Sequence, residues 1–298
     1  MSSRRLTWIL LPAVLWLGVS TASAAPTYDE ALALYKARRY PEARVAFQEL
    51  SLAEPAHAKA RYFLGVIAIK RNDTAAAIHQ LQKAIELDPT NADYHAELGG
   101  AHGLAAKQAS LLDQIHHARA CRAALEKAVE LNPDHLEARR GLVDYYRQAP
   151  SFLGGGVMKA YRQAETILER DPVMGTLLLG QLMVADHRFE EAIALFRQLL
   201  DRQPDNYLAH YSIGRIAAES GRETDSGQTH LQRCLQLTPA SDEPSHAAVH
   251  WRLGNLAERR KDPAAARAAY ETALNLDPNF QQARTSLAKL PPSPDSAS

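Results

Sequence analysis

Apolar residues between positions 28 and 290 recur three or four apart, the spacing that lines one face of a helix. In "ARYFLGVIAIKRNDTAAAIHQLQKAIELDP" (60–89), Leu64, Gly65 and Ala68 share one face. Ala77, Leu81 and Ala84 share another beyond the polar break "KRND", and Pro89 closes the block. The pattern returns at 177–204 with Leu179, Gly180, Phe189, Ala192, Phe196 and Leu199, and at 249–278 with Leu253, Gly254, Ala257, Ala266, Tyr270 and Ala273. Each block predicts two antiparallel helices. Gly and Ala let the backbones approach, the larger side chains fill the gap between them, and a proline stops the second helix.

The closing prolines stand at 55, 89, 133, 172, 204, 239 and 278, with spacings of 34, 44, 39, 32, 35 and 39 residues. In this period and these motifs the chain resembles the tetratricopeptide repeat family. The resemblance covers residues 28 to about 290. It implies an all-α, right-handed superhelical solenoid of about seven helix pairs plus a C-terminal capping helix. The repeats fall at about 28–56, 57–90, 91–134, 135–172, 173–204, 205–244 and 245–278, with a cap over 280–290. "PPSPDSAS" (291–298) has the composition of a disordered tail.

Two adjacent repeats exceed the period between their helices. The third carries about ten extra residues within "HGLAAKQASLLDQIHHARAC", helical in character, which predicts that both of its helices are extended. The fourth carries about seven, in "APSFLGGGVMKA". There Pro150 is expected to end a helix, Phe152 and Leu153 to tuck inward, and Gly154, Gly155 and Gly156 to supply positive φ. Tyr145-Tyr146, Ala149-Pro150, the glycines and Lys159-Ala160 are similar to a subgroup of secreted bacterial tetratricopeptide proteins, a likeness that carries no chemistry. A phosphate loop would need a preceding strand and G-x-x-x-x-G-K-[ST]. Here a helix precedes and Lys159 is followed by Ala160, so the stretch reads as an enlarged turn.

The first residues change the picture of where the chain works. Arg4 and Arg5, the apolar run Trp8 to Val19 and the small residues Ala22-Ser23-Ala24 form a secretory signal pattern over 1–24. A membrane anchor, the alternative, would need about 20 apolar residues. The expected location is periplasmic. The 34 basic and 34 acidic residues balance, and loss of Arg4 and Arg5 would leave a formal charge of −2. That disfavours bulk attraction to nucleic acid or anionic membrane. Cys121 and Cys234 occupy small-residue positions three repeats apart, beyond disulfide reach, so both are expected to be free thiols.

No catalytic, cofactor or metal motif emerges. His246 and His250, and the His116-His117 pair, lack a third ligand fixed by sequence and any H-E-x-x-H. In the resembling family the first helices line a concave groove. The corresponding residues are Tyr28, Tyr35, Tyr62, Lys70, Tyr145, Tyr211, Arg215, Trp251, Asn255 and Arg259. Aromatic and Arg side chains suit a peptide-binding surface; packing between neighbouring helices would use the same rings. The scattered cations do not support a clamp for a C-terminal carboxylate. The expectation is a non-enzymatic scaffold that binds a protein segment, with a small-ligand carrier or sensor as the alternative. Neither the partner nor the oligomeric state follows from the residues.

Overall fold

A computed structural model describes residues 26–291; the signal pattern at 1–24 and nearly all of the polar tail lie outside it. The described residues form fifteen α-helices and no strand. They pair as α1 (Tyr28–Lys36) with α2 (Tyr40–Ala53), α3 (Ala58–Lys70) with α4 (Thr74–Leu87), and α5 (Ala92–Gln108) with α6 (Leu111–Leu131). α7 (Leu136–Gln148) follows with α8 (Val157–Arg170), then α9 (Pro172–Ala185) with α10 (Phe189–Arg202). The last pairs are α11 (Tyr207–Ser220) with α12 (Thr224–Gln236) and α13 (His246–Arg259) with α14 (Pro263–Leu276). α15 (Gln281–Lys289) packs on α14 as the cap. Each helix contacts chiefly its neighbours in sequence, the mark of a solenoid.

The Leu-Gly motif works by contact. A Cβ on Gly65 would stand 2.6 Å from Leu81 Cγ, on Gly99 2.6 Å from Leu125 Cγ, and on Gly180 2.8 Å from Phe196 Cε1. Each large residue therefore fills the space that a glycine leaves on the facing helix. Ala77, Ala84, Ala192, Ala266 and Ala273 are fully buried. Asp171 shows how tightly two repeats can join. It caps α8 and its carboxylate accepts from the Val173 and Met174 amides at 3.0 Å, while Pro172 takes the first position of α9, where no amide donor is needed.

Five of the seven intra-repeat turns place a residue other than glycine in the left-handed region: Arg38, Asn72, His187, Glu223 and Lys261. The third and fourth repeats do not. In the third, α5 and α6 run 17 and 21 residues and meet through Ala109 and Ser110. In the fourth, a 3₁₀ turn (Ser151–Leu153) and the glycines join α7 to α8. Both cysteines are buried and free, as expected: Cys121 lies at the α5–α6 contact and Cys234 is fully buried on α12.

Candidate functional site

The inserted turn of the fourth repeat is pinned from three helices. The Leu153 carbonyl accepts from the Tyr145 hydroxyl of α7 at 2.8 Å and from Arg122 Nη1 of α6 at 2.9 Å. Lys159 of α8 donates to the Gly154 carbonyl at 2.9 Å and lies over the Tyr146 ring. The Tyr146 hydroxyl in turn donates to Glu126 Oε1 at 2.9 Å; burial, then that carboxylate, pushes the phenol up to about 12. The backbone closes on itself, with Gly155 N–H donating to Pro150 O and Gly156 N–H to Tyr146 O at 2.8 Å.

Two expectations for this turn need correction. Leu153 is buried at 7% exposure, but Phe152 points outward at 70%. A 3₁₀ turn advances about 120° per residue, so neighbours in it cannot both face inward. The glycines also differ in role. Gly154 has φ 84°, and Gly156 stands at the edge of the positive range with φ 156°. Gly155 is not among the positive-φ residues; it is needed because a Cβ there would run into the Ala149 carbonyl.

Under this turn lies a cleft of about 870 Å³ between the two enlarged repeats. Its apolar wall includes Leu104, Leu111, Ile115, Leu125, Phe152 and Leu153, so both insertions border it. Leu111 is 73% exposed. Leu112, Phe152, Val157 and Met158 in the same two repeats are exposed as well, while Val45, Leu52, Leu87 and Leu276 are exposed elsewhere in the array. The polar end of the cleft is built by α5 and α7, where Asp93, Glu97, Glu137, Arg140 and Asp144 line it. Burial, more than the nearby Asp93 and Glu137 charges, raises the Glu97 carboxyl above its ordinary range. Lys107 sits at the far end of α5.

Of the ten first-helix residues expected to face a groove, Tyr62 and Tyr145 line this cleft. Tyr62 stacks on Tyr94 at 5.0 Å, and burial raises its phenol. Tyr28 and Tyr35 pack on Phe63 in the first core, and Lys70 lies 5.4 Å from the Tyr40 ring. Tyr211 is 9% exposed within the α11–α13 core, and Arg215 Nη1 lies 3.6 Å from Glu219. Trp251 packs edge-on against Phe280, and its indole N–H donates to Ser286 Oγ at 3.0 Å. Asn255 accepts from the Tyr270 hydroxyl at 2.7 Å, and Arg259 reaches back to the Ala218 and Glu219 carbonyls. Leu111, Ile115 and Glu97 had no distinguishing signal in the sequence, because the facing of an extended helix depends on how far it overhangs its partner.

The histidines form two side-chain pairs. His210 Nε2 meets the Pro204 carbonyl at 2.8 Å, so it carries the proton and leaves Nδ1 to accept from His230 Nδ1–H at 2.7 Å. His102 and His117 approach through Nδ1 at 3.0 Å. Burial, then the facing imidazole, holds both His102 and His230 down at about 4. Among the described residues no three His, Cys, Asp or Glu side chains gather as a metal site would require, and no helix is long and apolar enough to cross a membrane.

The chain is similar to Cellulose synthase operon protein C of Pseudomonas fluorescens, 31% identical over 134 residues, which is 43% of this chain and 10% of that protein. It is 26% identical over 202 residues to the Peroxisomal targeting signal receptor of Eremothecium gossypii, covering 66% of this chain and 32% of the relative. It thus spans a third or less of the length of these relatives. A tetratricopeptide repeat protein from Parabacteroides merdae superposes with a TM-score of 0.62 at 15% identity, covering 87% of this chain and 95% of that one. Tetratricopeptide repeat profiles match residues 28–102, 177–242 and 247–280, more than half of the sequence. With the stacked helix pairs and their Leu-Gly contacts, these matches establish that the chain belongs to the tetratricopeptide repeat family.

Proposed function

We propose that this chain is a non-enzymatic periplasmic scaffold that binds a segment of another protein on its concave side, at the cleft between the third and fourth repeats. The observation that carries this reading is the placing of exposed Leu111 and Phe152 at the border of a cleft of about 870 Å³. Exposed apolar side chains grouped beside a concavity mark interaction sites. A rigidly pinned turn presents Phe152 without the entropic cost of ordering it on binding. A relative whose name is that of a targeting-signal receptor supports segment binding. The secretory pattern at 1–24 and the likeness of the glycine turn to secreted bacterial relatives support the location. Such a scaffold would serve envelope assembly or secretion.

Crosslinking in intact periplasm, with wild type, Leu111→Asp and Phe152→Asp compared, tests this. A defined partner lost in both variants supports the reading; a partner retained in both sinks it. The size of the cleft also favours a second reading, a carrier of a small amphipathic ligand, since such pockets span roughly 300–1,000 Å³. A small molecule retained through purification and released by Phe152→Asp would select that alternative.

A further inference from the structure

The charges lining the cleft are arranged unevenly. Four carboxylates, Asp93, Glu97, Glu137 and Asp144, face it with only two full cations, Lys107 and Arg140. Three of the four already have company. Glu137 holds Arg140 at 2.7 Å, Asp144 lies 3.6 Å from Arg147, and Asp93 lies 3.1 Å from His135 Nε2. Glu97 makes no ion pair or side-chain hydrogen bond among the described residues. Lys70 lies over the Tyr40 ring; its charge opposes the rise of the Glu97 carboxyl without forming an ion pair with it. Lys107 is ten residues further along α5, about 15 Å away at 1.5 Å per residue. The cleft therefore has an acidic end around Glu97 and an apolar mouth at Leu111 and Phe152.

Resting on the cleft as the binding site, we infer that the bound protein segment carries a lysine or arginine that pairs with Glu97 and, about 15 Å further along the cleft, an apolar side chain held between Leu111 and Phe152. An anionic group there would meet Glu97 with Asp93 and Glu137 close by, and a neutral one would leave the half-buried Glu97 with only the partial compensation of Lys70 and no ion pair. A cation both pairs with Glu97 and corrects the excess of negative charge. The Tyr62 ring also lines the cleft, near enough to Glu97 for that charge to act on its phenol, and adds apolar surface for the cation's stem. Burial raises the Glu97 carboxyl although Lys70 opposes the rise, so a cation placed against it would favour the ionised form.

The test is a selection on the full chain. A random peptide library displayed on phage is panned against it, and the selected peptides are synthesised with a fluorescein label. Their binding is then titrated by anisotropy against wild type, Glu97→Gln, Phe152→Asp and the remote control Glu86→Gln. Circular dichroism confirms that each variant is folded. The expected result is a shared lysine or arginine at fixed spacing from an aliphatic or aromatic residue. Glu97→Gln should weaken binding about tenfold. Replacing the peptide's basic residue with norleucine should cost a similar factor and remove the sensitivity to Glu97→Gln. Peptides without a basic residue, or equal affinity for wild type and Glu97→Gln, overturn the inference. If such peptides still lose affinity for Phe152→Asp, the cleft remains the binding site. If no peptide is selected, or binding ignores Phe152→Asp, the cleft reading falls and the inference falls with it.

Discussion

Gly155→Ala isolates a single contact in the structure. The residue is outside the positive-φ set, so an alanine meets no objection from its own backbone angles. The obstacle is across the turn: the new Cβ would stand 2.5 Å from the Ala149 carbonyl carbon and closer still to its oxygen. A comfortable separation is about 3.5 Å, so the turn must open by more than about 1 Å. That movement breaks the Gly155-to-Pro150 bond (3.2 Å) and the Gly156-to-Tyr146 bond (2.8 Å), at about 1 kcal/mol each. It also draws Leu153 partly into water, for about another 1 kcal/mol. Against this, the stiffer unfolded chain returns about 0.4–1 kcal/mol. The net expectation is a loss of about 2–3 kcal/mol, confined to the fourth repeat and its contacts, since a repeat array is stabilised by neighbour terms. Hydrogen exchange by mass spectrometry over residues 145–160 reads it, with urea unfolding followed in parallel. Gly100→Ala is the control: its Cβ meets nothing within 4 Å and its site is helical, so it should stabilise by about 0.5–1 kcal/mol. Unchanged exchange across the turn in Gly155→Ala would refute the argument that contact with Ala149 requires this glycine.

Acid should loosen the fold through the histidine pairs. Because His102 and His230 are held at about 4 in the folded chain, the unfolded chain takes up protons first as the pH falls below about 6.5. Stability is thus fully present above that value and declines toward pH 4; thermal melts across this window should show it, with a shallower decline in His230→Gln. The two thiols, raised to about 11 at Cys121 and about 12 at Cys234 by burial, should resist a thiol reagent at neutral pH until denaturant is added. Lys261→Gly relieves a left-handed lysine in an exposed turn and should raise stability by about 0.5–1 kcal/mol in urea titration, whereas the same change at Asn72, already a favoured residue there, should gain less.

The frame of this molecule was readable because it repeats. Closing prolines, facing alanines and, in four of the repeats, Leu-Gly pairs state one packing rule again and again, and the two interruptions stand out against it. The site was less readable, for reasons particular residues make plain. Trp251 and Arg259 have the chemistry of binding anchors, yet the capping helix bonds one and carbonyls near the end of α11 hold the other. Whether a first-helix ring faces solvent depends on what the next repeat places against it, which no local pattern encodes. Glu97 is one acidic residue on a polar face until α7 brings Glu137 and Asp144 beside the same cleft. Phe152 and Leu153 are neighbours of similar character, and only the three-residue period of their turn separates the exposed one from the buried one.

The three-way pinning of the Leu153 carbonyl's turn has a mechanical consequence. The walls of the cleft come from different repeats, and they are bonded to each other as well as packed, by Arg122 to Leu153 and by Tyr146 to Glu126. Bending the solenoid at this joint must therefore break those ties along with the side-chain packing. A partner seated in the cleft would meet a surface whose two sides move together rather than apart.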